Sequence, residues 1–371
     1  MVAGYKVGEF FMSYKYTQFI PQNTMPAGVI GIGVYDNEDK QVYAMSLRRL
    51  EHSTANKLYS FGVLSDIHLF DNLAVSWQPN PKFDKALTYF ENQGCSFCIV
   101  CGDLTQTGFY KRTKEDDSST TYADDTQMRA YKEICDNHSI PVYEVCGNHE
   151  SYYGMAIENN LDKWKTYSDN SALTYTVTKE NDLFIFVSQP RDTWVMTDEE
   201  MQWLYETLET NRNKRCFVII HSNVPGDSGN PLNARPTSIF KDWGTTKTEV
   251  FKKLMAHYKN TILFHGHTHM KFESQQYDKM ANYTEVNGFK SVHVPSCGGP
   301  RTLKSDGTWT PGDTESQGYI VDVYDKYIVL NGLDLINNKP VPFGTYKINT
   351  TLRMIEANTF IDTTGTIKTN N

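Results

Sequence analysis

The chain has 371 residues, of which 39% are apolar and 13% aromatic, enough for one large globular core with an appendage and too apolar for a disordered chain. Its formal net charge of -8 argues against a broad basic face for nucleic acid, while leaving room for a local basic pocket. No apolar run approaches the ~20 residues that span a bilayer, and the start lacks the ordered regions of a secretory leader, so a cytoplasmic protein is expected.

Residues 29–35 and 42–47 are β-rich runs on either side of the polar Asp36-Asn37-Glu38-Asp39-Lys40, which is a hairpin pattern. Together with the aromatic segment 10–16 they define residues 1–57 as a small β appendage. It is expected to pack on the main domain or to mediate oligomer assembly. The strand-like run 58–64 then leads into Ser65-Asp66-Ile67-His68. In extended backbone, residues i and i+2 point to the same side, so Asp66 and His68 are expected to reach one ion together.

Phe83, Leu87 and Phe90 have helical spacing and predict a helix over 82–93. The apolar run 97–100 ends in Cys101-Gly102-Asp103. Residues 104–123 read as one polar loop, and 124–138 as a helix with Met128, Tyr131 and Ile134 on one side. The run 142–145 ends in Gly147-Asn148-His149-Glu150, and a further helix is expected over 157–167. Runs 173–178 and 183–187 flank Lys179-Glu180-Asn181-Asp182 as a hairpin. Thr197 and Glu200 form a capping box, and Thr246 with Glu249 repeats the signal. Run 217–220 leads into His221, and run 262–264 into His265-Gly266-His267-Thr268-His269. Strands are expected at 291–294, 319–323 and 327–330, with an edge strand and a loose end in the Thr/Asn-rich tail 336–371.

The seven cysteines, an odd number, read as small buried hydrophobes of a reducing compartment. Cys95, Cys98 and Cys101 have C-x-x-C spacing, but the strand holding Cys98 would have to break to present it.

Five strand-like runs thus end in metal-capable side chains, and ligands of open α/β sheets gather outside the carboxyl ends of the strands. Each piece has a plainer structural explanation when taken alone. Asp66 could end a turn, Asn148 could occupy a left-handed turn position, His221 could be a satisfied core histidine, and His267 and His269 could be loop polar groups. The ordered set of D-x-H, G-D, G-N-H-E, H and G-H-x-H is far more specific. It resembles the calcineurin-like metallophosphoesterase family over residues 58–335.

That resemblance implies a four-layer α/β/β/α sandwich of two mixed β-sheets flanked by helices. It implies that Asp66, His68 and His269 hold one metal ion, that Asn148, His221 and His267 hold a second, and that Asp103 bridges both. Carboxylate, amide and imidazole donors suit manganese, iron or zinc, and the lack of cysteine among them argues against a structural zinc site. The reaction implied is attack of a metal-bridging hydroxide on a phosphate ester, with His149 assisting the leaving group. Glu150, where many members have Asp, would orient His149 by accepting a ring N–H.

The run 102–108 resembles the cyclic-nucleotide phosphodiesterase branch, which favours a phosphodiesterase acting on a small ester, a nucleotide among the candidates. A phosphomonoesterase on the same site, or a non-catalytic binding scaffold assembled through its β-rich start, are the alternatives. Arg235 and Arg301, on loops 222–247 and 297–313, are candidates to clamp a phosphate bidentately. His265 is expected to be a strand-end or supporting residue, with an extra ligand as the alternative. His138 and His257 sit near predicted helix C-termini, where positive charge is favourable. His52 and His293 carry no signal.

Overall fold

The structure, a computed structural model, describes residues 56–69, 81–112, 121–123, 125–151, 161–170, 172–188, 196–224, 228, 245–274, 282–302, 310 and 315–350, and the backbone of short strands outside them. Those outer strands are β1 (Tyr16–Phe19), β2 (Val29–Tyr35) and β3 (Gln41–Arg48), which form an antiparallel three-stranded sheet, and the antiparallel pair β18 (Thr359–Ile361) and β19 (Ile367–Thr369).

Two six-stranded sheets make the body. The first contains β4 (Lys57–Leu64), β5 (Cys98–Val100), β8 (Val142–Glu144), β15 (Gln317–Tyr324), β16 (Tyr327–Asp334) and β17 (Lys339–Asn349), in the order β17-β16-β15-β4-β5-β8. Strands β4, β5 and β8 are parallel, while β4, β15, β16 and β17 pair antiparallel. Strand β17 is this sheet's edge, so the sheet runs past residue 335. The second sheet contains β9 (Thr174–Lys179), β10 (Asp182–Val187), β11 (Cys216–Ile219), β12 (Thr261–His265), β13 (Tyr283–Val286) and β14 (Phe289–His293), in the order β13-β14-β12-β11-β10-β9. Its inner strands β14, β12, β11 and β10 are parallel, and its two edges pair antiparallel.

Both sheets follow from period-2 alternation. Along β10, Phe184 and Phe186 enter the layer between the sheets, whereas Leu183, Ile185 and Val187 face the helices. The inner layer is aromatic. Phe61 stacks on Phe97 with centroids 5.2 Å apart and meets Phe184 edge-on at 5.2 Å, and Phe184 stacks on Phe217 at 4.6 Å. Outside the first sheet, Phe83, Leu87 and Phe90 of α1 (Pro81–Asn92) pack with Met128, Tyr131 and Ile134 of α2 (Thr126–Asp136). The short α3 (Leu161–Tyr167) contributes Trp164 to the same cluster. Outside the second sheet, Met201, Leu204 and Leu208 of α4 (Asp198–Thr210) pack with Val250, Phe251 and Leu254 of α5 (Thr245–His257). These are the four expected layers.

The Thr197 capping box is formed, since the Glu200 amide donates to Thr197 Oγ1 at 3.2 Å and the Thr197 amide to Glu200 Oε2 at 2.8 Å. The second cap signal is misplaced. Thr246 lies inside α5, which already begins at Thr245. Residues 104–123 are not one loop, because β6 (Tyr110–Arg112) and β7 (Thr121–Ala123) pair antiparallel. All seven cysteines are free, and only Cys135 is not fully buried. Burial pushes the Cys98 and Cys101 thiols well above their ordinary pKa, which fits core packing rather than metal or redox use. No described helix is long and apolar enough to cross a membrane.

At the amino ends of β10 and β11, a buried ion pair joins the two sheets. Arg215 donates through Nε and Nη2 to the Asp182 carboxylate at 3.0 and 2.6 Å, and Tyr59 of β4 donates to the same carboxylate at 2.5 Å. The guanidinium also donates to the Tyr324 carbonyl at 2.7 Å and to Thr350 Oγ1 at 3.0 Å. Removing one partner of such a pair leaves the other buried and uncompensated. Asp182→Asn is therefore expected to lower stability by about 3–5 kcal/mol, read as a reduced urea midpoint at unchanged m-value. An unchanged midpoint would show that the pair contributes nothing.

Candidate metal centre

Parallel pairing aligns the carboxyl ends of β4, β5 and β8 in one sheet and of β11 and β12 in the other. The segments beyond those ends bring Asp66, His68, Asp103, Asn148, His221, His267 and His269 together. Asp66, His68, Asp103 and His269 form one donor group, and Asp103, His221 and His267 another, with ligand-capable atoms within 4.8 Å of one another in each. Asp103 belongs to both. Asn148 joins the second through Oδ1, 2.9 Å from His221 Nε2.

The backbone does this in a way that the extended-strand argument did not anticipate. Strand β4 ends at Leu64, and Asp66 and His68 both have positive φ, 50° and 49°. Asp103 (51°), His267 (75°) and His269 (59°) share that left-handed conformation. The i, i+2 pair therefore converges through two left-handed residues, not through strand pleating. Non-glycine residues rarely adopt this region, and they persist there only where surrounding contacts over-determine them.

Those contacts are present. The Asp66 and His68 amides donate to the Gly102 and Asp103 carbonyls at 3.0 and 3.1 Å, and the Gly266 amide donates to the His221 carbonyl at 3.0 Å. Glycine makes the approach possible at two points. Gly102 has φ 84°, and a Cβ there would collide with the His221 ring. A Cβ on Gly266 would overlap Ser65 Oγ and Asp66 Oδ2.

Each carboxylate is divided between support and presentation. Asp66 Oδ2 accepts from Ser65 Oγ at 2.6 Å and from the His267 amide at 2.9 Å. Its Oδ1 is buried without a hydrogen-bond partner, 3.1 Å from His269 Nε2 and 3.8 Å from His68 Nε2. Asp103 Oδ1 accepts from the His149 amide at 2.9 Å, and its Oδ2 lies 3.2 Å from His221 Nε2 and 3.6 Å from His68 Nε2. His221 donates from Nδ1 to the Cys101 carbonyl at 2.7 Å, which leaves the Nε2 lone pair facing the cluster.

Burial alone would raise the Asp66 carboxyl, but His269, His68 and His221 hold it well below its ordinary value. Burial likewise opposes ionisation of Asp103, and His221, His149 and His68 outweigh it. Burial, with His149 and His269 nearby, lowers His68 to about 4, so its ring stays neutral. Burial also works against the charged form of His221, yet Asp103 raises it to about 9, so a cation and a proton compete for that nitrogen.

The residues fit a pair of metal ions. His68 Nε2 and His269 Nε2 face each other at 2.9 Å beside the unpartnered Asp66 Oδ1. A cation between them would satisfy all three donors at once. The set is oxygen and nitrogen throughout, which suits manganese, iron or zinc.

Three expectations need correction or placement. Glu150 does not pair with the His149 ring. It is fully buried, and its carboxylate accepts from the Thr105 amide and hydroxyl at 3.0 and 3.2 Å and from the Gly147 amide at 2.8 Å. The His149 ring instead donates from Nδ1 to the Gln106 carbonyl at 2.7 Å. His265 stays out of the donor groups, with Nε2 3.0 Å from Ser228 Oγ and 3.2 Å from Ser291 Oγ. Arg301 is an exposed residue whose amide donates to the His269 carbonyl at 2.7 Å, and Arg235 lies outside the described residues. The sequence reading missed Ser65, Thr105 and Ser296, whose hydroxyl donates to the Asp66 carbonyl at 2.8 Å. Ser65 and Thr105 lie within two residues of ligand candidates, and that proximity was the one available signal.

A family model for calcineurin-like phosphoesterases matches residues 59–271. Among solved structures, the fold is similar to a dimetal phosphatase from Danio rerio, at 12% identity over 80% of this chain and 100% of that chain, with a TM-score of 0.54. It is also similar to a purple acid phosphatase from seeds of yellow lupin, Lupinus luteus, at 14% identity over 92% of this chain and 67% of that one, with a TM-score of 0.52. At such identities the likeness is one of fold. No curated sequence matches the chain significantly.

Gly266→Ala tests the packing of the cluster. The added methyl group is expected to displace Ser65 and Asp66 and to lower metal content by at least one ion per chain. Elemental analysis after gel filtration measures it, and wild-type content would show that the close approach is dispensable.

Proposed function

Because the chain belongs to the calcineurin-like phosphoesterase family, whose members are metal-dependent phosphoric ester hydrolases, we propose that it cleaves a small phosphate diester at this cluster. The observation that carries the reading is Asp103, one carboxylate shared by two donor groups. Asp66, His68 and His269 would hold one ion, Asn148, His221 and His267 the other, and Asp103 both. Two bound divalent ions acidify water and neutralise charge on phosphoryl oxygens.

The remaining chemistry belongs to side chains. A carbonyl can only accept, so the contact with Gln106 places a proton on His149 Nδ1. Nε2 faces the cluster, 4.0 Å from Asp103 Oδ2. From that nitrogen His149 would deliver a proton to the leaving oxygen. Glu150 acts at one remove, since it ties Thr105 to Gly147 and so sets the spacing of the two loops that carry Asp103 and Asn148. Arg301 is the candidate to meet a phosphate oxygen, a reading supported by its exposure and by the hydrogen bond of its amide to the His269 carbonyl. Preference for a diester is supported by the resemblance of the run 102–108 to the cyclic-nucleotide phosphodiesterase branch. The free thiols support a reducing compartment such as the cytoplasm. Residues 1–57 would pack on the main domain or mediate assembly, a reading supported by a β1–β3 sheet that shares no strand with the two sheets carrying the site and whose β3 lies against β17.

Asp103→Asn is expected to abolish turnover and reduce binding of both ions, and near-full activity would remove the shared-carboxylate reading. His149→Ala should keep both ions and slow turnover by ~10²–10⁴-fold; simultaneous loss of metal would make His149 a ligand instead. Hydrolysis of an aryl phosphate monoester beside its bis-aryl diester, in manganese, decides the substrate class. Faster diester cleavage, absent in Asp103→Asn, is expected. Faster monoester cleavage would assign a phosphatase, and no turnover of either with two ions bound would favour a binding scaffold.

A further inference from the structure

The two ligand candidates His267 and His269 are separated by one residue, and that residue is anchored behind the site. Thr268 is buried, and its hydroxyl oxygen lies 2.7 Å from Nε2 of His293, a fully buried imidazole on β14. The amide nitrogen of Asn282 lies 3.1 Å from His293 Nδ1 and 3.5 Å from the Met270 carbonyl. An amide N–H₂ only donates, so His293 Nδ1 accepts and its single proton sits on Nε2, directed at Thr268 Oγ1. The Met270 amide also points at that oxygen, at 3.4 Å. His293 is itself fixed, with its amide donating to the Asn282 carbonyl at 2.8 Å and the Tyr319 hydroxyl donating to the His293 carbonyl at 3.3 Å.

We propose that Thr268 and His293 are positioning residues for both metal ions, holding the strained turn that presents one histidine to each. The turn carries two left-handed non-glycine residues, His267 at φ 75° and His269 at φ 59°. Such a conformation relaxes unless something beside the ligands' own bonds defines it. Thr268 is the residue between the two, and its hydroxyl meets His293. Its side chain is locked to a buried ring on a different strand, and that ring's tautomer is set by Asn282. Strand β14 is thereby coupled to the geometry of both groups, although His293 faces neither of them. His265, whose Cα is in register with His293 on the neighbouring strand, makes no such link, because its Nε2 is turned to Ser228 and Ser291. The inference rests on the dinuclear reading above.

The test is metal affinity, measured on the intact chain by titrating manganese release against a chelator. Thr268→Val keeps the shape and removes the hydroxyl, and it is expected to weaken both ions by ~10–100-fold, as loss of outer hydrogen-bond partners does. Thr268→Ser, which keeps the hydroxyl, is expected to hold both at wild-type affinity. Asp182→Asn is a destabilised control far from the turn, and it should leave affinity unchanged. Equal affinity in the valine and serine variants, or weakening of only one ion, would overturn the proposal. So would an Asp182→Asn control that weakens both ions as much as Thr268→Val does. Should Thr268→Val fail to fold, His293→Gln and His293→Leu carry the test. Glutamine places an N–H near the position of Nε2 and should retain affinity, whereas leucine should lose it, and equality of the two would overturn the inference. If the wild-type chain itself binds no pair of ions, the dinuclear reading falls and takes this one with it. If it binds two and Thr268→Val binds them as tightly, only the positioning claim fails.

Discussion

Two fully buried carboxylates, Asp66 and Asp103, sit where the carboxyl ends of two β-sheets meet. Burying such groups is costly unless positive charge or hydrogen-bond donors compensate. One oxygen of each is supported by protein, through Ser65 and the His267 amide for Asp66 and through the His149 amide for Asp103. The other oxygen is turned towards imidazoles. The surrounding structure can be understood as what holds two anions and four histidines in one place.

That arrangement depends on the two sheets keeping their relative position. The aromatic layer of Phe61, Phe97, Phe184 and Phe217 sets the spacing between them. The Asp182–Arg215–Tyr59 clamp, at the opposite ends of the strands, adds stability without contacting the site. A slip of either sheet would separate His221 and His267 from Asp103. The core therefore contributes to the site's geometry as well as to stability.

Backbone strain is concentrated at the same place. Asp66, His68, Asp103, His267 and His269 all adopt the left-handed region, at a cost of order 1–3 kcal/mol each. Glycines at 102 and 266 admit neighbouring atoms too close for any side chain. Glu150 fastens the loops after β5 and β8, and its carboxyl is pushed up to about 7 by burial and by the neighbouring Asp103. The fold concentrates unfavourable conformations and charges where donors must converge and compensates for them with packing elsewhere.

Much of this was legible in the order of residues. Alternation such as Phe184 and Phe186 against Leu183 and Ile185 is a local consequence of strand geometry, and so is the helical spacing of Phe83, Leu87 and Phe90. The ordered donors at five strand ends announced the cluster, because parallel strands must deliver their carboxyl ends to one edge. Other features were not legible. The start of α5 was misplaced because Thr246 and Glu249 imitate a capping box inside the helix. The pairing of β6 with β7 inside a polar stretch has no strong apolar period. Strand and turn periodicities are local, so the order of residues marked the metal-capable side chains at the strand ends. How they meet came from the fold: Asp66 and His68 through left-handed turns, Glu150 with Thr105 and Gly147 rather than His149, and His293 behind Thr268. Those partners are set by contacts between chain segments far apart in sequence, which no local spacing encodes.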